Sequence, residues 1–166
     1  MPEKSEVLKQ AVKHKGFFKY RDVYNFCYEW IKDEGYFLTE DIYTERLSAD
    51  GKEVIIKWTA KKKVSDYFMN LITIKWHILY MTDAEVEVNG KKKRTNKGEL
   101  KVTFSAELVR DYERRWEDNP FYKFLRGVYD RYIVRTRIDY YEDKLEEKTK
   151  EYINQFKAFL ALEGRS

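Results

Sequence analysis

Cysteine is nearly missing from this chain, and so are the patterns that mark most specialised folds. Cys27 is the only cysteine, so no internal disulfide can form. That excludes a disulfide scaffold and predicts a reducing, cytoplasmic setting. Two prolines and seven glycines are too few for a collagenous or a Pro/Gly-rich disordered chain. The longest apolar stretch, Tyr67 to Met81, is interrupted by Asn70, Lys75 and His77. It is too short to cross a bilayer as a helix, and no transmembrane segment is expected. The opening Met1-Pro2-Glu3-Lys4-Ser5-Glu6 lacks the apolar centre of a signal peptide.

Catalytic and cofactor signatures are also missing. The glycines stand apart and build neither G-x-G-x-x-G nor the phosphate-cradling G-x-x-x-x-G-K-[ST]. No G-x-S-x-G nucleophile turn is present. The two histidines, His14 and His77, have no Cys, His or carboxylate at metal-ligand spacing, so neither a metal nor another cofactor is expected. Cys27 lies within an apolar helical stripe, where a free thiol acts as a small hydrophobe. Glu85 and Glu87 share one strand face and could act as acid and base, but pairing with Lys101 on the adjoining strand is the plainer reading.

What is present describes a globular chain. Its 166 residues are 43% apolar and 37% charged, which predicts one domain over 1–166 with a real core. The net charge of +4 is mildly basic. Aromatic residues reach 17%, with 14 tyrosines, and these suit cores and contact surfaces alike.

The pattern of the chain predicts an α+β fold: N-terminal helices, an antiparallel meander of about five strands, and a long C-terminal helix packed on the sheet. Ser5 reads as the cap of a short helix carrying Val7, Leu8, Ala11 and Val12 and ended by Gly16. Tyr20, Val23, Tyr24, Cys27, Trp30 and Ile31 recur at spacings of three and four, a second helix closed by Gly35. Alternation then predicts strands over 36–47, 54–62, 68–81, 84–88 and 100–106. Asp50-Gly51 is expected to form a type I′ hairpin turn. The inward row is Val54, Ile56, Trp58 and Ala60; then Phe68, Ile72, Ile74, Trp76, Ile78 and Tyr80; then Leu100, Val102, Phe104 and Ala106. Leu108, Val109, Tyr112 and Trp116 suggest a further short helix. Asn119-Pro120 opens the last one, which runs from Phe121 to Leu162 with a break or a strand near 133–138 and a stop at Gly164. Helix, meander and long helix together resemble helix-grip and cystatin-like architectures in layout, with no motif behind the likeness.

Two features point toward function. The segment Asn89 to Gly98 contains Lys91, Lys92, Lys93, Arg94 and Lys97 and no acid. It reads as a basic loop between two strands. A meander would bring Lys57, Lys75 and Lys101 onto one exposed face with Thr59, Thr73 and Thr103. Such a surface can neutralise phosphates, although a solvated loop and an aggregation-blocking face have the same composition. The C-terminal helix repeats Ile138, Leu145, Tyr152 and Phe159 every seven residues, but Glu142 and Thr149 interrupt the second seam position. Docking on the chain's own sheet is therefore expected, with a homodimer through this helix as the alternative.

These features predict a non-enzymatic binding or assembly protein acting through the polar sheet face, the basic loop or the C-terminal helix. The competing expectations are a nucleic-acid or anionic-surface module using 89–98, a carrier of an apolar ligand in a cavity lined by Trp58, Trp76, Phe68 and Phe104, and an enzyme with a dispersed site around His77.

Overall fold

A computed structural model describes residues 3–110, 120–128, 131 and 135–164. The order of elements is β1 (Glu3–Phe18), α1 (Tyr20–Asp33), β2 (Phe37–Ser48), β3 (Gly51–Lys63), β4 (Phe68–Val88), β5 (Lys91–Arg110), α2 (Pro120–Val128) and α3 (Arg135–Glu163). The strands form one five-stranded sheet ordered β1-β5-β4-β3-β2, antiparallel at every pairing. Strands β2 to β5 are the expected meander; β1 adds to its far edge beside β5.

The alternation fixes which face is covered. Trp58, Ile74, Phe104 and their even-numbered neighbours are fully buried under α1 and α3. Helix α3, about 44 Å long at 1.5 Å per residue, lays Leu145, Tyr152, Ile153, Phe156 and Leu160 on this face. Thr149 is buried with them and donates its hydroxyl to the Leu145 carbonyl at 2.7 Å, which removes the cost of a polar group in an apolar seam. Helix α1 contributes Val23, Cys27 and Ile31. Tyr152 ties the two helices together: its ring stacks on Trp30 at 4.0 Å and its hydroxyl donates to the Cys27 carbonyl at 2.7 Å. No helix of the described residues is long and apolar enough to cross a membrane.

Several expectations need correction. Residues 5–12 form part of β1, not a helix. Val7-Leu8 and Ala11-Val12 satisfy a helical spacing, but a bulge between Glu6 and Leu8 shifts the strand alternation by one. From Leu8 onward the period is two, with Val12 and Phe18 buried and Lys9, Lys13 and Lys15 exposed. Ser5 caps nothing; its hydroxyl donates to Glu142 on α3 at 2.8 Å. The strands expected at 68–81 and 84–88 are one strand, β4, interrupted by a bulge between Leu79 and Thr82. Tyr80 stands there at φ 57 and is 52% exposed instead of buried. Gly51 and Gly98 make room for the bulge. A Cβ on Gly51 would lie 2.7 Å from the Tyr80 carbonyl carbon, and one on Gly98 would lie 2.9 Å from the Leu79 oxygen. The β2–β3 turn is Ala49-Asp50, with Gly51 already in β3, so Asp50-Gly51 is not the turn pair. Leu108 and Val109 end β5; Tyr112, Trp116 and Asn119 lie outside the described residues. Of the suspected break, 135–138 are helical within α3, and 133–134 lie outside the described residues.

Candidate functional site

Helices α1 and α3 pack on the same face of the sheet, so of the described residues the opposite face presents chiefly the side chains of the strands themselves. Strand register sets their order. Lys57 pairs with Lys75, and Lys75 with Thr103. One step along, Thr59 pairs with Thr73 and Thr73 with Ser105; in the other direction, His77 pairs with Lys101 and Lys101 with Lys13. Side chains directly opposite on neighbouring strands stand about 5 Å apart, and like charges there destabilise the sheet. Lys57 and Lys75 form such a pair, as do Lys101 and Lys13. Among the described residues, none of these four lysines lies within ion-pair distance of a carboxylate. A shallow depression of about 510 Å³ runs over this face, with Lys4, Lys9, Lys57, Lys61 and Lys75 among its walls and the hydroxyls of Thr59, Thr73, Thr103 and Ser105 between them. Glu6 and Glu107 line it too. Thr59 donates to Asp41 from the bulge of β2.

The basic segment is not a loop. Past Phe18, the last residue of β1, β4 and β5 continue beyond the rest of the sheet as a two-stranded ribbon that pairs Ala84 with Thr95 through to Val88 with Lys91. Asn89 (φ 52) and Gly90 (φ 79) close it. Two consecutive positive φ values are what a type I′ turn needs, and Asn-Gly is its favoured pair. The ribbon has two unlike faces. Glu85 stands opposite Arg94 and Glu87 opposite Lys92, so these four charges complement one another. This corrects the expected pairing of both glutamates with Lys101, which lies further down β5 opposite His77. The other face carries Lys91 and Lys93 beside Val88 and Val86, and at the base of the ribbon Lys97 continues the row between Thr82 and Phe17 of β1, with all three lysines exposed. β5 has no bulge across this stretch. Lys91, Lys93, Lys97 and Lys101 therefore belong to one row of alternate side chains, the row that meets Lys75 and Lys57 on the open face. Of the eight candidate basic residues, six share this row or its sheet neighbours. Lys92 and Arg94 point the other way.

Lys4, Lys9 and Lys13 were missed from the sequence because β1 reads as a helix there. The signal available was the alternation of Lys9, Ala11, Lys13 and Lys15 with Leu8, Gln10, Val12 and His14.

The remaining candidates fall elsewhere. His77 Nε2 lies 3.2 Å from Glu53 Oε2, with the imidazole about half exposed and the carboxylate about one-third exposed. The adjoining depression of about 490 Å³ is walled by Lys13, Lys15, Lys101 and Glu99, and Glu99 pairs with Lys15 at 3.5 Å. Trp58, Trp76, Phe68 and Phe104 are packed rather than arranged around a void. Trp58 meets Trp76 at 5.3 Å between ring centroids, Phe104 meets Phe156 at 5.5 Å, and Phe68 meets Tyr141 at 4.9 Å. Burial pushes the Cys27 thiol well above its ordinary range, so the thiolate is suppressed. Between α1 and β2, Tyr20 and Tyr43 share a hydrogen bond of 3.0 Å, Tyr43 donates to Glu45 at 2.6 Å, and Tyr24 donates to Glu40 at 2.8 Å. Burial raises the pKa of Tyr20, Tyr24 and Tyr43, and these contacts with carboxylates add to it for Tyr24 and Tyr43. These groups hold α1 to the edge of the sheet as neutral phenols. Among the described residues, no three His, Cys, Asp or Glu side chains are grouped to hold a metal ion.

No family model, curated protein or solved structure matches this chain.

Proposed function

We propose that this protein is a non-enzymatic binding protein that holds a polyanion against the open face of its sheet and the β4–β5 ribbon. One observation carries the proposal: lysines without carboxylate partners among the described residues stand side by side across adjacent strands, Lys57 beside Lys75 and Lys101 beside Lys13, on the face opposite α1 and α3. Uncompensated like charges in register cost stability. An anionic ligand that neutralises them offsets that cost on binding. The hydroxyls of Thr73, Thr103 and Ser105 between the lysines suit phosphate or sulfate oxygens. A cytoplasmic, single-domain protein with one buried cysteine is consistent with this role. The carrier reading has less support, because the four aromatic side chains it needs are spent on core packing. The enzyme reading rests on a solvent-exposed His77–Glu53 pair among cations.

Fluorescence anisotropy with a labelled nucleic acid, a sulfated polysaccharide and anionic vesicles tests the proposal. Affinity should fall steeply with salt for at least one of them, and Lys57→Ser/Lys75→Ser should lower the slope of log K against log salt by about 0.9 per lost phosphate contact on duplex DNA. Absence of binding to all three at low salt would overturn it.

A further inference from the structure

The ribbon narrows the class of polyanion. We infer that its preferred ligand is double-stranded DNA, with residues 84–95 lying flat in the major groove and the open sheet face resting on the flanking phosphates. The inference rests on the polyanion-binding role proposed above.

The dimensions fit. Beyond β1 the ribbon has five paired positions, from Ala84–Thr95 to Val88–Lys91, and so extends about 17 Å at 3.3 Å per residue. A B-form major groove is about 12 Å wide and 8.5 Å deep, and it admits a two-stranded β-ribbon. The chemistry of the two faces sets the orientation. Glu85 and Glu87 lie on the Lys92/Arg94 face and would be repelled by phosphate, so that face turns away from the duplex. The opposite face presents Lys91 and Lys93 with Val86 and Val88 and holds no acid. Lysine can donate to guanine O6 and N7, and an apolar side chain can cover a thymine methyl. Thus the face freed of carboxylates is also the one carrying groups able to read base edges. Beyond the ribbon the same row of β5 passes Lys97 and Glu99, the latter paired with Lys15, and reaches Lys101 opposite His77 and Lys13, one pair along from Lys75 and Lys57, where the backbone of a duplex would emerge from the groove.

The alternative polymers fit less well. A-form RNA has a deep, narrow major groove that excludes such a ribbon. Single strands are held by aromatic platforms on which bases stack, and between Lys91 and Thr95 that face of the ribbon has no aromatic ring. A sulfated polysaccharide or a lipid headgroup would be drawn to the lysines but would use neither the groove dimensions nor Val86 and Val88.

Binding of the full chain to a labelled DNA duplex, the corresponding single strand and an RNA duplex separates these cases, with interference by methylation of guanine N7 locating the groove. The duplex DNA should bind at least about tenfold more tightly than the other two, and N7 methylation at a short cluster of guanines should weaken it. Lys91→Ser/Lys93→Ser should weaken duplex binding about tenfold or more, as the loss of base-edge contacts does, and abolish the methylation effect. Lys92→Ser/Arg94→Ser, which removes the same charge from the other face, should leave the methylation effect in place. Circular dichroism confirms that both variants keep the fold. Equal affinity for the three nucleic acids, a preference for RNA or single strands, or indifference to N7 methylation would overturn the inference while leaving the polyanion-binding role intact. Equal loss in the two double variants would overturn it in the same way. Failure to bind any polyanion would remove both.

Discussion

Replacing either of the two central tryptophans by phenylalanine gives a sharp test of the core. Trp58 and Trp76 sit on adjacent strands, both essentially without solvent exposure, with ring centroids 5.3 Å apart. Their indole N–H groups differ. Trp58 Nε1 donates to Glu40 Oε1 at 3.0 Å, whereas Trp76 Nε1 is buried without a partner among the described residues. Loss of the five-membered ring leaves a void worth about 1–2 kcal/mol at either site. At position 58 the substitution also removes a hydrogen bond to a carboxylate, about 1.5 kcal/mol or somewhat more; Glu40 is solvated and keeps the Tyr24 hydroxyl, which holds this value near the low end. At position 76 it removes an unsatisfied donor, a gain of about 1–3 kcal/mol that offsets the void. Trp58→Phe should therefore cost roughly 3 kcal/mol, and Trp76→Phe should fall within about 1 kcal/mol of the parent. Equilibrium unfolding in urea, followed by far-ultraviolet circular dichroism at unchanged m, reads the difference directly. Equal losses at the two positions would refute the assignment of a satisfied and an unsatisfied indole.

Three further outcomes follow from the same packing. Tyr36 is buried and its pKa is pushed up to about 12; a phenol that stays protonated in the fold adds stability that is complete below pH ~10 and is lost as pH rises toward 12. Tyr36→Phe should flatten that alkaline decline, and an unchanged slope between these pH values would contradict the burial of the hydroxyl. Leu145→Glu/Phe156→Glu places two charges in the seam between α3 and the sheet and should unfold the chain; a folded monomer by light scattering and circular dichroism would show that this face of α3 is not needed by its own sheet. Cys27, fully buried and with its thiolate suppressed, should react with a thiol reagent only on unfolding, and rapid native labelling would displace it from the core.

Some of this was determined by the sequence alone. Where side chains alternate without interruption, as in Val54-Ile56-Trp58-Ala60 and Leu100-Val102-Phe104-Ala106, a period of two admits one structure, and these residues are buried as expected. The stripe of α1 from Tyr20 to Ile31 and the stop of α3 at Gly164 were equally plain, because helical spacing and a terminal glycine are local signals. The broken seam at Glu142 and Thr149 already argued for docking on the sheet, and α3 does dock there.

Only the tertiary structure decided the rest, and the reasons are bulges and register. One inserted residue at Val7 disguised a sixteen-residue strand as a short helix, and with it hid Lys4, Lys9 and Lys13. A second bulge at Tyr80–Met81 allowed β4 to continue into the ribbon and turned a basic loop into a strand with two chemically distinct faces. A charge run has no faces until a partner strand fixes its alternation. Lys91 and Lys92 are equivalent in the sequence, yet one stands beside Val88 and the other opposite Glu87. Likewise, Lys75 comes 18 positions after Lys57, and only the β3–β4 pairing sets them side by side. Local pattern identifies strands and helices because backbone geometry is local; the placing of one lysine against another is a property of which strands pair, and in what register, and that is settled only when the whole sheet closes over its core.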